Sequence, residues 1–253
     1  MNVTDSANYR GISLSSIFGN VFDLVILSRY ASHLCTSDYQ FGFRSKRSTG
    51  MCTMILNECI SYYVNNGGSV YCTFLDATKA FDRKLSHRLY DRDQPPVIIR
   101  IMLNMYVGHV TRVKWNGIRS HTLSVCNGVK QSGIISPVLF CVYIDDLQCS
   151  VADLGVGCMM GEFFVGILAH ADDTVLLAPA PNAMRIMLAR CDSFSKDCNI
   201  NASNTKCLYC TVQAHDCILV QTLSSRLTAN LLSLLSVHLS QWLHLGHIIS
   251  SIL

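Results

Sequence analysis

Charged side chains are scarce in this 253-residue chain. Asp, Glu, Lys and Arg make up 15% of it, against about 25% in an average soluble protein, and the mean hydropathy is +0.30. This composition excludes a disordered or highly solvated chain, because such chains carry little apolar surface and much charge. It predicts one large domain or two small ones, built around a buried sheet.

Several sequence motifs of well-known enzyme classes are also missing. The chain has no Gly-x-x-x-x-Gly-Lys-Ser/Thr sequence, which excludes a P-loop nucleotide site. It has no Gly-x-Ser-x-Gly sequence, which excludes the nucleophile elbow of many hydrolases. There is no internal repeat, and the predicted helices and strands do not alternate as they do in a doubly wound sheet. The sequence therefore predicts an α+β fold.

Neither secretion nor membrane insertion is predicted. The first residues do not combine a basic segment with an apolar run, as a secretory signal would. Thirteen cysteines are present, an odd number that cannot all pair, so we expect reduced thiols that mostly pack in a core. Residues 227–253 carry no charge, but 11 of these 27 residues are polar, which favours an amphipathic helix. We expect a nuclear or cytoplasmic protein that does not enter the membrane.

Charge of the two signs is unevenly distributed along the chain. Residues 1–120 carry 14 basic and 8 acidic side chains, whereas residues 121–253 carry 6 and 9. A basic first half and an acidic second half fit a polyanion-binding region followed by a cation-binding one. The alternative is a chance imbalance, which many soluble chains show.

Two acidic features differ from ordinary surface. Asp76 directly follows an apolar run that predicts a buried strand over residues 70–75. Asp172-Asp173 lies between two apolar runs that predict a hairpin within residues 163–177. A carboxylate at the end of a buried strand is costly unless it is paired or binds a cation. If the two features lie on neighbouring strands, three carboxylates meet at a site suited to Mg²⁺ or Mn²⁺. The alternative is a turn with solvated aspartates.

The remaining elements follow from apolar spacing and capping signals. These predict helices within residues 13–35, 51–64, 97–107, 136–147 and 183–194. Two further apolar runs predict strands on either side of the turn Asn116-Gly117, over residues 111–115 and 122–125.

Six collinear segments resemble motifs of the non-LTR retrotransposon reverse transcriptases. They are NYRGISL (8–14), QFGFRSKRST (40–49), FLDATKAFD (74–82), NGVKQSGIISPVLFCVYIDDL (127–147), HADDTVLLAP (170–179) and LHLGHIIS (243–250). The resemblance implies a fragment or decayed copy of such a protein, with an antiparallel palm sheet backed by helices. It implies fingers over residues 1–69, the palm over 70–210, and the primer grip with the start of a truncated thumb over 211–253.

The resemblance also implies an activity and its cofactor. The expected function is RNA-directed DNA synthesis during retrotransposition, from an RNA template, a DNA primer and deoxynucleoside triphosphates. Asp76 and Asp172 would bridge two Mg²⁺ ions, with Mn²⁺ as the alternative, and Asp173 would support them. Two such ions can hold both the attacking and the leaving oxygen of an in-line phosphoryl transfer.

Substrate-binding residues are implied position by position. Phe81 would stack under the incoming sugar, and Gln131 would lie near the nascent base pair. Arg44 and Lys46 would bind the nucleotide phosphates, and the residues expected to follow the nucleic-acid backbone are Arg10, Arg47, Lys79 and Arg83. Without the resemblance, Phe81 would be interpreted as core packing, Gln131 as a loop residue, and the cations as a solvated surface.

Three positions differ from the family pattern. Ser132 stands where a glycine is usual, His170 replaces an aromatic residue before Ala-Asp-Asp, and Asn204 replaces a lysine. Two alternatives to the polymerase therefore stay open. One is an inactive remnant that binds RNA or DNA, and the other is a metal-dependent phosphodiesterase that uses the same carboxylates.

Overall fold

A computed structural model of the chain describes residues 12–76, 90, 92, 94–106, 109–125, 133–198, 206–211 and 217–220. The chain divides into two compact units. One consists of Met1–Cys35 and Phe81–Tyr143, and the other of Thr36–Ala80 and Ile144–Leu253. Each combines helices with antiparallel strands, which confirms the predicted α+β class.

The described helices, in chain order, are α1 (Ile17–Tyr30), α2 (Thr49–Asn65), α3 (Pro96–Tyr106), α4 (Ser136–Ala152) and α5 (Pro181–Cys198). The described strands are β1 (Ser69–Asp76), β2 (His109–Thr111), β3 (Lys114–Trp115), β4 (Ile118–Arg119), β5 (Leu123–Val125), β6 (Met159–Met160), β7 (Phe163–Phe164), β8 (Ile167–His170), β9 (Asp173–Ala178), β10 (Lys206–Thr211) and β11 (Cys217–Val220). All five predicted helices are present.

The first unit has a small helical core. Side chains of α1, α3 and the beginning of α4 pack together there, including Ile26, Ile98 and Leu139. Helix α1 begins where it does because the Ser16 hydroxyl accepts a hydrogen bond from the Gly19 N–H at 3.1 Å. The helix is shorter than the apolar run that predicted it, since it ends at Tyr30.

The prediction for the strands around Asn116-Gly117 was partly wrong. This turn joins the two short strands β3 and β4, whereas β2 pairs with β5 outside them. Asn116 and Gly117 both have positive φ, at 46° and 82°. That geometry is typical of a two-residue hairpin loop, so the turn was correct and only the strand bounds were not.

The second unit contains a five-stranded sheet with the order β11-β10-β1-β9-β8. Every neighbouring pair in it is antiparallel. The predicted strand over residues 70–75 is the central strand β1, and the predicted hairpin is β8–β9. The hairpin begins at Ile167, because Phe163 and Phe164 pair instead with Met160 and Met159.

Helices cover both faces of this sheet. On one face, Cys52, Leu56 and Cys59 of α2 pack against Val70 and Cys72 of β1. On the other, the Thr73 hydroxyl donates to the sulfur of Met184 on α5 at 3.2 Å. Alternation of side chains along β1 sends successive residues to the two helices, which explains why most of the strand between Val70 and Leu75 is apolar.

In the part of the chain that the structure describes, no helix has the length and apolar character needed to cross a bilayer. Residues 227–253, for which an amphipathic helix was predicted, lie outside that part.

Candidate active site

The backbone positions of the three predicted aspartates lie at one end of the sheet. Strand β1 ends at Asp76, β9 begins at Asp173, and the antiparallel register pairs these two residues directly. Asp172 precedes β9 in a tight turn and is exposed, whereas Asp173 is half-buried. The strand pairing therefore brings together three positions that are up to 97 residues apart along the sequence.

The donor set fits a hard divalent cation. Carboxylate oxygens are the ligands that Mg²⁺ and Mn²⁺ prefer. Among the described side chains, which do not include that of Asp76, no three acidic, histidine or cysteine groups form a cluster. The described site thus contributes Asp172 and Asp173, and the strand register contributes the position of Asp76.

The turn that carries Asp172 has an unusual backbone. Strands β8 and β9 pair from His170 to Asp173, so Ala171 and Asp172 form a two-residue hairpin loop. We call residues 170–173 the aspartate turn. Ala171 has a φ of 58°, in the left-handed region that costs a residue with a side chain about 1–2 kcal/mol. Such a conformation persists only where its surroundings hold it.

Gln40 holds this turn through its side-chain amide. Its Oε1 accepts hydrogen bonds from the N–H groups of Ala171 at 2.9 Å and Gly42 at 2.8 Å. Its Nε2 donates to the carbonyl oxygen of Ala171 at 3.3 Å. Gln40 is fully buried, so these bonds are shielded from water.

The backbone on either side of Gln40 also binds strand β8. Ala169 donates to the carbonyl of Tyr39 at 2.9 Å, and Phe41 donates to the carbonyl of Ala169 at 2.7 Å. Gly42 follows with no room for a side chain, because a Cβ there would lie 2.3 Å from the Ala171 nitrogen. We call residues 39–42 the clamp segment.

The ring of His170 has a polar partner at the start of a helix. Its Nε2 lies 3.1 Å from the hydroxyl of Thr49, the first residue of α2. The ring is therefore oriented by the helix, and this departure from the family pattern is accommodated within the described structure.

The predicted phosphate-binding cations occupy the loop after the clamp segment, residues 43–48, which we call the basic loop. Arg47 donates to the carboxylate of Asp38 at 2.5 Å, and Arg44 lies 3.4 Å from the same oxygen. The Arg47 guanidinium also lies over the Phe41 ring, 5.0 Å from its centroid. Lys46 is exposed and has a φ of 63°. Two of the three cations are therefore held in place by one acidic residue.

A tyrosine beside this loop does not add to its charge. Burial raises the pKa of the Tyr39 hydroxyl, and Cys149, Asp153 and Asp38 contribute in the same direction. The phenol is consequently neutral near pH 7, and Asp38 is the acidic partner that both arginines contact.

Asp145 is a structurally important acid that sequence reasoning missed. It is buried on α4, and its Oδ1 accepts hydrogen bonds from the Ser37 N–H at 2.8 Å and the Ser37 hydroxyl at 2.5 Å. Ser37 lies directly before Asp38, so this carboxylate fixes the entry to the clamp segment. A buried Asp in an apolar helix was the available signal, because such a group needs partners.

Other predicted site residues lie outside the described part of the chain. They are Arg10, Lys79, Phe81, Arg83 and Gln131, together with the departures Ser132 and Asn204. Their roles therefore stay predictions, as do the bounds proposed for fingers, palm and thumb.

Comparison with known proteins gives consistent similarities. The model of the family described as "Reverse transcriptase (RNA-dependent DNA polymerase)" matches residues 3–249. The chain is 26% identical over 205 residues to the Pol polyprotein of the retrotransposable element R2DM of Drosophila melanogaster, covering 79% of this chain and 19% of that protein. It is 24% identical over 218 residues to the RNA-directed DNA polymerase from the mobile element jockey of the same species, covering 81% and 23%.

A third relative, the probable RNA-directed DNA polymerase from the D. melanogaster transposon X-element, is 29% identical over 157 residues. That match covers 56% of this chain and 16% of the relative. The chain thus spans between a sixth and a quarter of the length of these three relatives.

A solved structure shares the fold. The apo telomerase of Candida tropicalis, truncated from its C-terminal domain, superposes with a TM-score of 0.50 at 11% identity. The match covers 75% of this chain and 39% of that one. This likeness supports the palm-and-fingers architecture, and at such low identity it concerns the fold alone.

Proposed function

The chain belongs to the reverse transcriptase (RNA-dependent DNA polymerase) family, and on that basis we propose that it synthesises DNA on an RNA template by nucleotidyl transfer. The substrates would be an RNA template, a DNA primer and deoxynucleoside triphosphates. The cellular role would be the copying of a retrotransposon transcript in the nucleus or cytoplasm.

The observation that supports this proposal most is the register of β1 and β9. It makes Asp76 and Asp173 direct neighbours beside the exposed Asp172. We propose that these three carboxylates hold two Mg²⁺ ions, which Mn²⁺ can replace. When bound, the ions would supply positive charge at the primer 3′-hydroxyl and at the reacting phosphate.

The chain's own residues would bind and orient the substrates. Arg44, Lys46 and Arg47 would contact nucleotide or template phosphates, because phosphate attracts guanidinium and ammonium groups at short range. The Asp38 carboxylate is mostly exposed, so its ion pairs with Arg44 and Arg47 are weak and can yield to a phosphate.

The proposed roles of the other residues follow the family resemblance. Phe81 would exclude a 2′-hydroxyl by stacking under the incoming sugar, and Gln131 would contact the nascent base pair. The cations proposed to follow the nucleic-acid backbone are Arg10, Lys79 and Arg83.

Primer extension on an RNA template tests the function. The full chain with Mg²⁺ is expected to extend a labelled DNA primer, and Asp172→Asn to lower the rate at least about 10³-fold, since the substitution weakens the ion site by several kcal/mol. Asp153→Asn is the matched control, because Asp153 is also an exposed aspartate but lies beyond the end of α4.

Three other outcomes would each contradict part of this proposal. Binding of the template–primer without incorporation at any Mg²⁺ concentration would identify an inactive remnant. Cleavage of the template without extension would identify a phosphodiesterase. Extension that Asp172→Asn leaves intact would contradict the proposed role of the carboxylates.

A further inference from the structure

Gln40 is bonded in a way that a buried packing residue does not require. Gln40 is 0% exposed, and its amide oxygen accepts two hydrogen bonds while its amide nitrogen donates one. Only the oxygen of an amide can accept from two N–H groups, so the orientation of the side chain is fixed by its partners. Two of the three bonds go to the N–H and the carbonyl of the same residue, Ala171.

Ala171 is the residue whose conformation sets the direction of the aspartate turn. Its φ of 58° is the positive value that a two-residue hairpin loop commonly needs at its first position. Glycine usually supplies that conformation without cost, but here the residue is alanine. The amide of Gln40 bonds both polar groups of Ala171 and therefore restrains the peptide planes on either side of its Cα.

The clamp segment reaches the turn from a distant part of the sequence. Gln40 and Ala171 are 131 residues apart, and a parallel bridge joins Gln40 to Ala169. A side chain at position 42 would collide with the Ala171 backbone. The contact therefore needs a long amide at position 40 and a glycine at position 42.

We propose that Gln40 is a positioning residue for the carboxylates of Asp172 and Asp173. By holding Ala171 in its left-handed conformation, the Gln40 amide fixes the backbone from which both carboxylates project. The expected effect of Gln40 on catalysis rests on the polymerase function proposed above. The restraint on Ala171 is a separate claim, which can be measured without catalysis.

The chain offers a matched control in Gln148. This glutamine is also 0% exposed, but neither atom of its amide has a hydrogen-bond partner within the described part of the structure. Gln40→Met and Gln148→Met each replace a buried amide by an apolar side chain of similar length. The Gln40 variant removes the bonds to Ala171, whereas the Gln148 variant removes none in that part.

The first test is residue-resolved hydrogen exchange of the full chain. We expect the Ala171 N–H to be protected in the native protein although it lies in a turn. Gln40→Met should speed its exchange at least about tenfold, because the accepting oxygen is lost. Gln148→Met should leave that exchange unchanged. If Gln40→Met does not fold, Gln40→Asn takes its place, since it keeps an amide but is one methylene too short.

The second test separates positioning from general stability. In primer extension, Gln40→Met should slow nucleotide addition and raise the Mg²⁺ concentration for half-maximal rate, while the Kd for the template–primer stays unchanged. A loss of stability alone would reduce the active fraction without shifting the Mg²⁺ dependence. Gln148→Met should show wild-type Mg²⁺ dependence.

The outcomes distinguish this inference from the proposed function. A wild-type chain that extends no primer overturns the function, while Ala171 exchange still decides whether Gln40 restrains the turn. Unprotected Ala171 in the native protein, or the same exchange and Mg²⁺ dependence in Gln40→Met as in Gln148→Met, would overturn the inference.

Discussion

At the scale of single residues, the three cations of the basic loop differ in what restrains them. Arg47 is held by the Asp38 carboxylate and by the Phe41 ring, and Arg44 shares the same carboxylate oxygen. Lys46 makes no ion pair with any of the described residues. A phosphate that enters this loop must therefore compete with Asp38 for the two arginines.

Removal of that competition should strengthen nucleic-acid binding. Asp38→Ala is expected to lower the Kd for a template–primer about 2–5-fold at low salt, the range that an exposed ion pair of up to 1 kcal/mol allows. The difference should shrink as salt screens the charges. Fluorescence anisotropy titrations measure it, with Glu58→Ala as the control for loss of one exposed negative charge, because Glu58 is exposed on α2. Unchanged or weaker binding in Asp38→Ala would contradict the assignment of the arginines to phosphate.

Individual site residues were predictable to different degrees. Asp76, Asp172 and Asp173 could be singled out because acidic residues interrupt apolar strands, a pattern that is visible locally. The roles of Gln40 and Asp145 could not, since their partners lie 131 and 108 residues away in the sequence. A buried amide or carboxylate reveals its need for a partner, but the sequence does not show which partner the fold provides.

At the scale of elements, the aspartate turn depends on contact between the clamp segment and the β8–β9 hairpin. Three hydrogen bonds of 2.7–2.9 Å join the two segments. Tyr39 and Phe41 bond to Ala169 through their backbones, and the Gln40 side chain accepts from the Ala171 N–H. Gly42 completes the contact through its lack of a Cβ. The two segments can therefore move apart only by breaking several buried hydrogen bonds together.

Gly42→Ala should disrupt this contact. The added Cβ would lie 2.3 Å from the Ala171 nitrogen, so the backbone must shift, at a cost of about 1–3 kcal/mol in the free energy of unfolding. Urea denaturation measures the change. Gly50→Ala is the control, because its Cβ would be 3.7 Å from the nearest atom and alanine favours the first turn of α2. Equal stability of the two variants would argue against the close approach.

Element types were predicted better than element bounds. Helix α2 was expected from residue 51 but begins at Thr49, because the Ser48 hydroxyl caps it through the Met51 N–H at 3.3 Å. The β8–β9 hairpin was predicted correctly. Phe163 was wrongly assigned to it, because this residue belongs to β7, which pairs with β6. Apolar periodicity identifies what kind of element forms, but caps and strand partners decide where it ends.

At the scale of the whole molecule, the cysteines pack as the sequence predicted. Six of the eight cysteines whose side chains the structure describes are buried, and four of these six, Cys52, Cys59, Cys72 and Cys158, belong to the core between α2 and the sheet. Burial raises the pKa of Cys52 to about 11 and that of Cys191 to about 12. Both thiols are therefore protonated at neutral pH and unreactive in the native protein.

Thiol alkylation of the native chain should follow this pattern. At pH 8, iodoacetamide is expected to modify the exposed Cys35 at least about 10²-fold faster than Cys52 or Cys191, because burial raises the pKa of both of these thiols, which lowers their thiolate fractions, and shields them from the reagent. Peptide mass spectrometry resolves the sites. In urea the three rates should converge. Rapid native labelling of Cys52 would contradict a packed core beneath α2.

The account as a whole depends on the pairing of β1 with β9, which places Asp76 beside Asp173 and would allow distant aspartates to share one ion site. Mn²⁺ binding to the full chain, followed by electron paramagnetic resonance, tests this most directly. Asp76→Asn and Asp172→Asn should each weaken the same Mn²⁺ site at least about tenfold, and Asp153→Asn should not, because only the first two would supply ligands. The account would be contradicted if Asp172→Asn abolished Mn²⁺ binding while Asp76→Asn left the Mn²⁺ affinity unchanged. That result would show that the two carboxylates do not share an ion.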